Sequence, residues 1–244
     1  MAERVDNIGF GDLKLIQEPE EFCYGVDAVI LADFAAKHAI GKVRRVMDLG
    51  TGTGVIPLIL SHKTEAEFIG GLEIQEGSFQ RAVRNAELNN LGDRVHFFKG
   101  DVKTAADDVL KDLKGSMDVV TANPPYMQVS EGLKCANSAK SIARHETTAG
   151  LEDFFACAQA LLKPRGDLFM VHRPSRLADI CCFAREYGLE PKELCFVSPN
   201  VNRGANIVLV HCVKGGGKQL RILDPLYVYE ETGEYTANLR KCYE

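Results

Sequence analysis

The chain has no surplus of positive charge: its 244 residues carry a formal charge of −5. That excludes coating a nucleic acid through bulk electrostatics and leaves any polyanion contact to a local basic face. Its eight cysteines include no CxxC pair, so metal-site spacing is absent and no metal is expected. No apolar run approaches membrane-spanning length. The start, Met1 to Phe10, is polar and charged rather than leader-like. With Cys181 and Cys182 adjacent on a helical pattern and the other thiols scattered, the expectation is a reduced cytoplasmic protein without a membrane partner. There is no internal repeat and no low-complexity tract. What is there is globular in character, 45% hydrophobic and 26% charged. The length suits one large α/β domain with a sizeable core, so a single domain over 1–244 is expected.

From residue 43 onward strand-like and helix-like patterns alternate. Val46-Met47-Asp48-Leu49 reads as a short buried strand, followed by a glycine-rich turn and a helical run from Val55 to Ser61. Glu67 to Leu72 is the next strand. Glu76 to Asn90 places Phe79, Ala82, Val83 and Ala86 on one helical face. Val95 to Phe98 is a third strand, a poorly patterned helix is expected around Thr104 to Leu113, and Met117 to Ala122 is a fourth strand. In the second half, Leu151 to Leu162 is a helix ended by Lys163-Pro164-Arg165-Gly166, and Asp167 to His172 a strand. A helix through Leu177, Ile180, Cys181, Ala184 and Tyr187 follows. Two strands, Glu193 to Val197 and Ala205 to Val213, then come with no helix between them. The alternation predicts an α/β fold: a seven-stranded, mostly parallel sheet covered on both faces, with an antiparallel edge hairpin.

Three segments stand outside this core of 43–213. Residues 1–42 hold an expected hairpin and an apolar helix, Ala28 to Ala36, introduced by Gly25-Val26-Asp27. Residues 127–150 are a long polar stretch, and such loops are usually functional or mobile. Residues 214–244 begin with Gly215-Gly216-Gly217 and form a tyrosine-rich tail, in which Lys218 to Tyr229 could pair as an edge hairpin.

The chemistry is concentrated at strand ends. Asn123-Pro124-Pro125-Tyr126 directly follows the fourth strand. Two prolines remove two backbone donors and stop the strand. Asn123 then offers a carboxamide, with one acceptor and two donors, beside carbonyl acceptors, and Tyr126 adds an aromatic face. Such an edge can hold a planar amino or amide group and stack on the ring that carries it. A strand-ending Pro-Pro turn with a surface tyrosine is the plainer alternative.

The turn Asp48-Leu49-Gly50-Thr51-Gly52-Thr53-Gly54 lets backbone approach a ligand and points amide donors at it. Its spacing is GxGxG rather than the GxGxxG of dinucleotide sites, and the acid two places before the first glycine suits a cation better than a pyrophosphate. Glu73, ending the second strand, is placed to accept both hydroxyls of a ribose. Asp101, ending the third, is placed to accept from an adenine amino group. Any one of these acids alone is better read as a cap or a solvated group. Three at successive strand ends imply a nucleoside with a positively charged tail, and S-adenosylmethionine fits.

This set, the turn with Asp48, Gly50, Thr51, Gly52 and Gly54, then Glu73, Gly100-Asp101 and Asn123-Pro124-Pro125-Tyr126, resembles the class I S-adenosylmethionine-dependent methyltransferases that modify exocyclic amines. Phe22 to Asp27, Ala143-Arg144-His145-Glu146, His172-Arg173-Pro174 and Gly233-Glu234-Tyr235-Thr236 extend the likeness, over most of the chain, to the tRNA1(Val) adenine-37 N6-methyltransferase family. The resemblance implies a Rossmann-like methyltransferase fold, S-adenosylmethionine as cofactor, and tRNA as partner. Asn123 and the Pro124 carbonyl would be the two acceptors for the adenine amine, with Pro125 and Tyr126 completing the catalytic motif and Tyr126 stacking on the base. Lys134, Lys140, Arg144, His145, Arg173, Arg176 and Arg203 follow strand ends and would ring the mouth. Of these, Arg144, His145 and Arg173 are the candidate RNA contacts.

The same motif suits a glutamine amide, so a protein glutamine N5-methyltransferase is the nearest rival. That group usually carries a helical domain before the cofactor turn, and here a hairpin stands in that place. A DNA adenine enzyme would need a target-recognition domain. An rRNA guanine-N2 enzyme stays open, as does a non-catalytic nucleotide- or RNA-binding module on the same fold. The sequence is silent on oligomeric state.

Overall fold

The computed structural model describes residues 3–18, 25–126 and 149–244. Its frame is a sheet with β3 (Arg45–Leu49) near the centre. On one side lie β4 (Phe68–Glu73) and β5 (Val95–Lys99). On the other lie β6 (Met117–Ala122), β7 (Leu162–His172), β9 (Ile207–Lys214) and β8 (Leu189–Ser198). β5, β4, β3, β6 and β7 are mutually parallel, and β9 runs antiparallel to both β7 and β8. These are the seven strands expected, with the antiparallel one inserted before the last.

Alternate strand residues face opposite layers. Val46, Ile69, Val95, Val119, Phe169 and Leu209 pack under α1 (Val26–His38), α2 (Val55–Lys63) and α3 (Glu76–Leu88). Met47, Leu49, Leu72, Val120, Leu168 and Val210 pack under α4 (Leu151–Leu161) and α5 (Leu177–Glu186). That period of two within near-continuous apolar runs is what a doubly covered parallel sheet requires. α1 is buried from Ala28 to Ala35 because it is wedged against α2 and across β7 and β9. Among the described residues no helix is long and apolar enough to cross a membrane.

The N-terminal hairpin, β1 (Arg4–Asn7) with β2 (Lys14–Gln17), is held by asparagines rather than by the sheet. Ile16 N donates to Asn85 Oδ1 at 2.7 Å and Lys14 N to Asn89 Oδ1 at 2.8 Å. Asn85 on α3 and Asn89 at its C-cap lie one helical turn apart, so they meet alternate residues of the strand edge.

Three expectations are corrected. Residues 104–113 form two short 3₁₀ turns, Ala105–Asp107 and Lys111–Leu113, not a helix. Ala105 and Leu110 are buried there, and Ala106 and Leu113 pack partly buried against the same core. Lys163 to Gly166 does not separate α4 from a strand beginning at Asp167. β7 starts at Leu162, and these residues bulge out of register, with Arg165 at φ 67°. The tail does not fold back as an edge hairpin either. β10 (Arg221–Ile222) and β11 (Leu226–Tyr227) both pair in parallel with β8 of the same chain. β9 ends where β8 begins, so the next extended segment must climb alongside β8 in its direction, making the sheet nine-stranded. The chain closes with α6 (Ala237–Arg240), whose Leu239 is fully buried.

Candidate active site

The carboxyl ends of β3, β4, β5 and β6 converge on one mouth, the usual ligand position in open α/β sheets. The turn after β3 holds Gly50, Gly52 and Gly54 at φ 71°, 57° and 85°, a left-handed path that side chains resist. Gly50 N and Thr51 N both donate to Leu72 O at 2.9 Å, folding the turn over the end of β4. A Cβ on Gly54 would lie 2.6 Å from Phe97 Cζ, whereas one on Gly52 would meet nothing within 4 Å. Gly52 is therefore the point where the turn opens to free space.

Glu73 is buried, and both its oxygens accept from backbone amides. Oε2 accepts from Gly52 N at 2.8 Å and Oε1 from Gln75 N at 2.7 Å. Its carboxylate ties the glycine turn to the start of α3. Asp101 is half-buried, and its Oδ1 accepts from Lys103 N at 3.0 Å, which fixes the turn after β5.

Asp48 is the most perturbed acid. It is 0% exposed; Oδ1 accepts from Thr121 Oγ1 at 2.7 Å, and Oδ2 has no hydrogen-bond partner among the described residues. Burial pushes its carboxyl up to about 7, against the pull of the Thr121 hydroxyl. An unpartnered buried oxygen beside an open glycine turn suits a cationic group. The arrangement fits a sulfonium nucleoside with an ammonium tail.

Across the mouth, Asn123 is half-buried at the end of β6, Pro124 is buried and Pro125 is exposed. Tyr126 does not stand free. Its Oη lies 2.8 Å from Asp27 Oδ2 and 3.1 Å from Asn123 Oδ1. The Arg173 guanidinium sits 4.7 Å from its ring centroid, and the His172 ring meets it edge-on at 5.3 Å. Burial and the neighbouring Asp27 raise the Tyr126 phenol well above the usual range, so it stays a donor. His172 is buried and accepts at Nδ1 from Arg173 N at 2.8 Å; burial and the charge of Arg176 lower its pKa, favouring the neutral ring.

The structure therefore brings together Asp48, the glycine turn, Glu73, Asp101, Asn123, Pro124, Tyr126 and Arg173. Arg173, expected as an RNA contact, lies over Tyr126 and donates from Nη1 to Asn206 O at 3.0 Å. Arg144 and His145, like Phe22 to Tyr24, lie outside the described residues. Sequence reasoning named Asp27 and His172 only within the stretches that carry the resemblance, gave neither a role, and did not single out Asn85. The partner of Asp27 is 99 residues away in the chain.

Residues 40–201 match a family model described as a methyltransferase domain. Among curated proteins, the chain is 32% identical over 173 residues to a tRNA1(Val) (adenine(37)-N6)-methyltransferase of Porphyromonas gingivalis, spanning 70% of this chain and 66% of that one. A protein of the same name from Bacteroides fragilis is 26% identical over 90% of both chains. Among solved structures, an Agrobacterium tumefaciens protein titled as a predicted O-methyltransferase superposes with a TM-score of 0.68 at 23% identity, covering 89% of this chain and 95% of that one. TYW2 from M. jannaschii, solved in complex with AdoMet, gives a TM-score of 0.59 at 15% identity, covering 86% of this chain and 85% of that one. At those identities the structures speak for the fold alone.

Proposed function

The chain belongs to the methyltransferase domain family, an S-adenosylmethionine-dependent enzyme, and from that premise we propose that it methylates the exocyclic N6 amine of an adenine in RNA, with tRNA as the substrate class. The observation that carries this reading is Asn123-Pro124 at the end of β6, opening on the same mouth as the glycine turn and Asp48. The names of the relatives support tRNA and position 37 of tRNA1(Val) as the first target to try.

An adenine amine is a poor nucleophile because its lone pair is delocalised into the ring. Accepting hydrogen bonds from both amino hydrogens favours a pyramidal nitrogen and frees that pair. Asn123 Oδ1 and the Pro124 carbonyl are the two acceptors proposed. S-adenosylmethionine, when bound, supplies the electrophilic methyl. The protein's part is alignment: the glycine turn and Glu73 fix one partner, and Asn123 and Tyr126 the other. No strong base is required at the start, since the proton can leave to water after transfer. The base must leave its own stack, which an unpaired loop nucleotide does at least cost. With Arg173 over one part of the Tyr126 ring, the base stacks on the ring surface that remains or takes the place of Arg173.

The test is transfer of labelled methyl from S-adenosylmethionine to total tRNA from a strain lacking this protein, followed by nucleoside mass analysis. N6-methyladenosine in one tRNA, absent with Asn123→Ala, is the expected result. Label appearing instead in a protein glutamine, or as N2-methylguanosine in rRNA, would move the assignment to those substrates. Cofactor binding without transfer to any of them would leave a binding module.

A further inference from the structure

Tyr126 Oη carries one hydrogen and has two acceptors within reach, Asp27 Oδ2 at 2.8 Å and Asn123 Oδ1 at 3.1 Å. One hydrogen serves one of them well. The Asp27 oxygen is nearer, and a carboxylate is the stronger acceptor. It also lies in the first turn of α1, where helix N–H groups favour a negative charge. Once the hydrogen is committed to Asp27, Oη turns lone pairs toward Asn123, and two oxygens face each other with nothing between them. A half-turn of the carboxamide removes that conflict. It brings Nδ2 to Oη as a donor and sends Oδ1 the opposite way. The phenol cannot easily swing aside to relieve it, because Arg173 lies over the ring, His172 abuts it, and Arg173 is itself held by Asn206 O.

We propose that Asp27 is a positioning residue: by holding the Tyr126 hydroxyl hydrogen, it sets the Asn123 carboxamide with Oδ1 turned to the substrate amine. The chain of donors runs Asn123 Nδ2–H to Tyr126 Oη, and Tyr126 Oη–H to Asp27 Oδ2. Removing the Asp27 acceptor redirects the phenol hydrogen to Asn123 Oδ1, occupying the acceptor that the substrate amine needs. This inference rests on Asn123 being that acceptor. It gives α1 a role in the reaction through a contact to a residue far away in the chain.

Four variants test it: Asp27→Ala, Asp27→Asn, Tyr126→Phe and the Asp27→Ala/Tyr126→Phe pair. Asp27→Ala is expected to lower kcat by roughly 10- to 100-fold, with the cofactor Kd within about threefold of wild type. Asp27→Asn keeps an acceptor oxygen and recovers most of that loss. Tyr126→Phe lowers kcat in the wild-type background, yet costs nothing once Asp27 is gone, because no hydroxyl remains to misdirect the carboxamide. The readout independent of turnover is the Asn123 side-chain amide in a ¹⁵N spectrum, assigned by its loss in Asn123→Ala. One amide proton should be shifted and protected in wild type and released in Asp27→Ala. Wild-type kcat in Asp27→Ala overturns the proposal, as does equal damage from Ala and Asn accompanied by lost cofactor binding. If wild type methylates no adenine, the proposed function fails first. The amide signal then decides alone, and a signal indifferent to Asp27→Ala overturns the relay.

Discussion

Asn85 and Ile16 are joined through both polar ends of one carboxamide. Ile16 N donates to Asn85 Oδ1 at 2.7 Å, and Asn85 Nδ2 approaches Ile16 O at 3.4 Å while donating to Thr53 O at 2.9 Å. Asn85 is 0% exposed, so a single buried side chain couples the N-terminal hairpin to the glycine turn. Asn85→Leu fills the space but leaves the Ile16 amide and the Thr53 carbonyl without their partner. Stability in urea should fall by about 2–3 kcal/mol, the cost of stranding buried backbone groups. Cofactor affinity should fall as well, about tenfold, since the turn loses its anchor at Thr53. A variant with lowered stability and unchanged affinity would show that the hairpin and the cofactor turn are independent.

Asp48 places stability and binding in opposition. Its carboxyl titrates at about 7 instead of 3.8 because burial penalises the charge. A raised acid pKa contributes stability that is fully present below about 3.8 and is lost as pH rises through about 7. At about 1.4 kcal/mol per unit, the whole effect is of the order of 4 kcal/mol, an upper bound that internal water would reduce. Asp48→Asn should therefore be more stable than wild type at pH 8, with a flatter stability profile between pH 4 and 8, as tested by urea unfolding across that range. The same variant should bind S-adenosylmethionine at least about tenfold more weakly. In wild type, binding below pH 7 should release a proton as the cationic ligand restores the carboxylate, which calorimetry in buffers of different ionisation enthalpy would detect. Proton uptake on binding would contradict this role.

The three glycines of the turn are not equivalent. Gly54→Ala adds a methyl 2.6 Å from Phe97 Cζ at a residue with φ 85°. Strain and overpacking act together there, and a loss of about 2–4 kcal/mol is expected. Gly52→Ala meets no atom within 4 Å, so only the left-handed backbone is penalised, by about 1 kcal/mol. Its methyl projects toward the open side of the turn, so cofactor affinity should drop by more than about tenfold while the melting temperature moves little. Thermal melts with and without S-adenosylmethionine separate the two variants: Gly54→Ala loses stability in both, and Gly52→Ala loses only the shift produced by the ligand.

How much of this was legible before the structure follows from what each feature depends on. Strand ends carrying Asp48, Glu73, Asp101 and Asn123 were readable because apolar runs closed by glycine or proline are local signals, and parallel topology sends all their ends to one side. The Tyr126–Asp27 contact was not readable, because nothing local in either segment names its partner. The tail was misread for a similar reason: Arg221 to Tyr227 is extended in either pairing, and only the direction of β9 decides that it runs parallel to β8. The bulge at Lys163 to Gly166 was seen as a stop, since Pro164 and Gly166 punctuate a helix end and a bulge alike.

His211 tests whether the middle of β7 and β9 matters to the chemistry. Its ring is stacked on Phe169 at 4.4 Å, with Nε2 2.9 Å from Asp167 Oδ1 and Nδ1 3.3 Å from Glu193 Oε2. Glu193 also meets His38 at 2.7 Å and Arg221, and against the cost of burial these partners hold its carboxyl below the usual range. Its contribution to stability is present above about pH 4.5 and is lost as pH falls through the lowered value. Asp167 lies inside β7, five residues before His172, so this cluster braces β7, β8 and β9 at mid-strand. His211→Phe keeps the stacking but deprives the buried Asp167 and the half-buried Glu193 of a partner, which should cost about 3 kcal/mol in urea at pH 7. The turnover of the folded fraction should equal that of wild type. If kcat fell along with stability, the cluster would be coupled to the end of β7 at His172, and the brace would have to be counted as part of the active site.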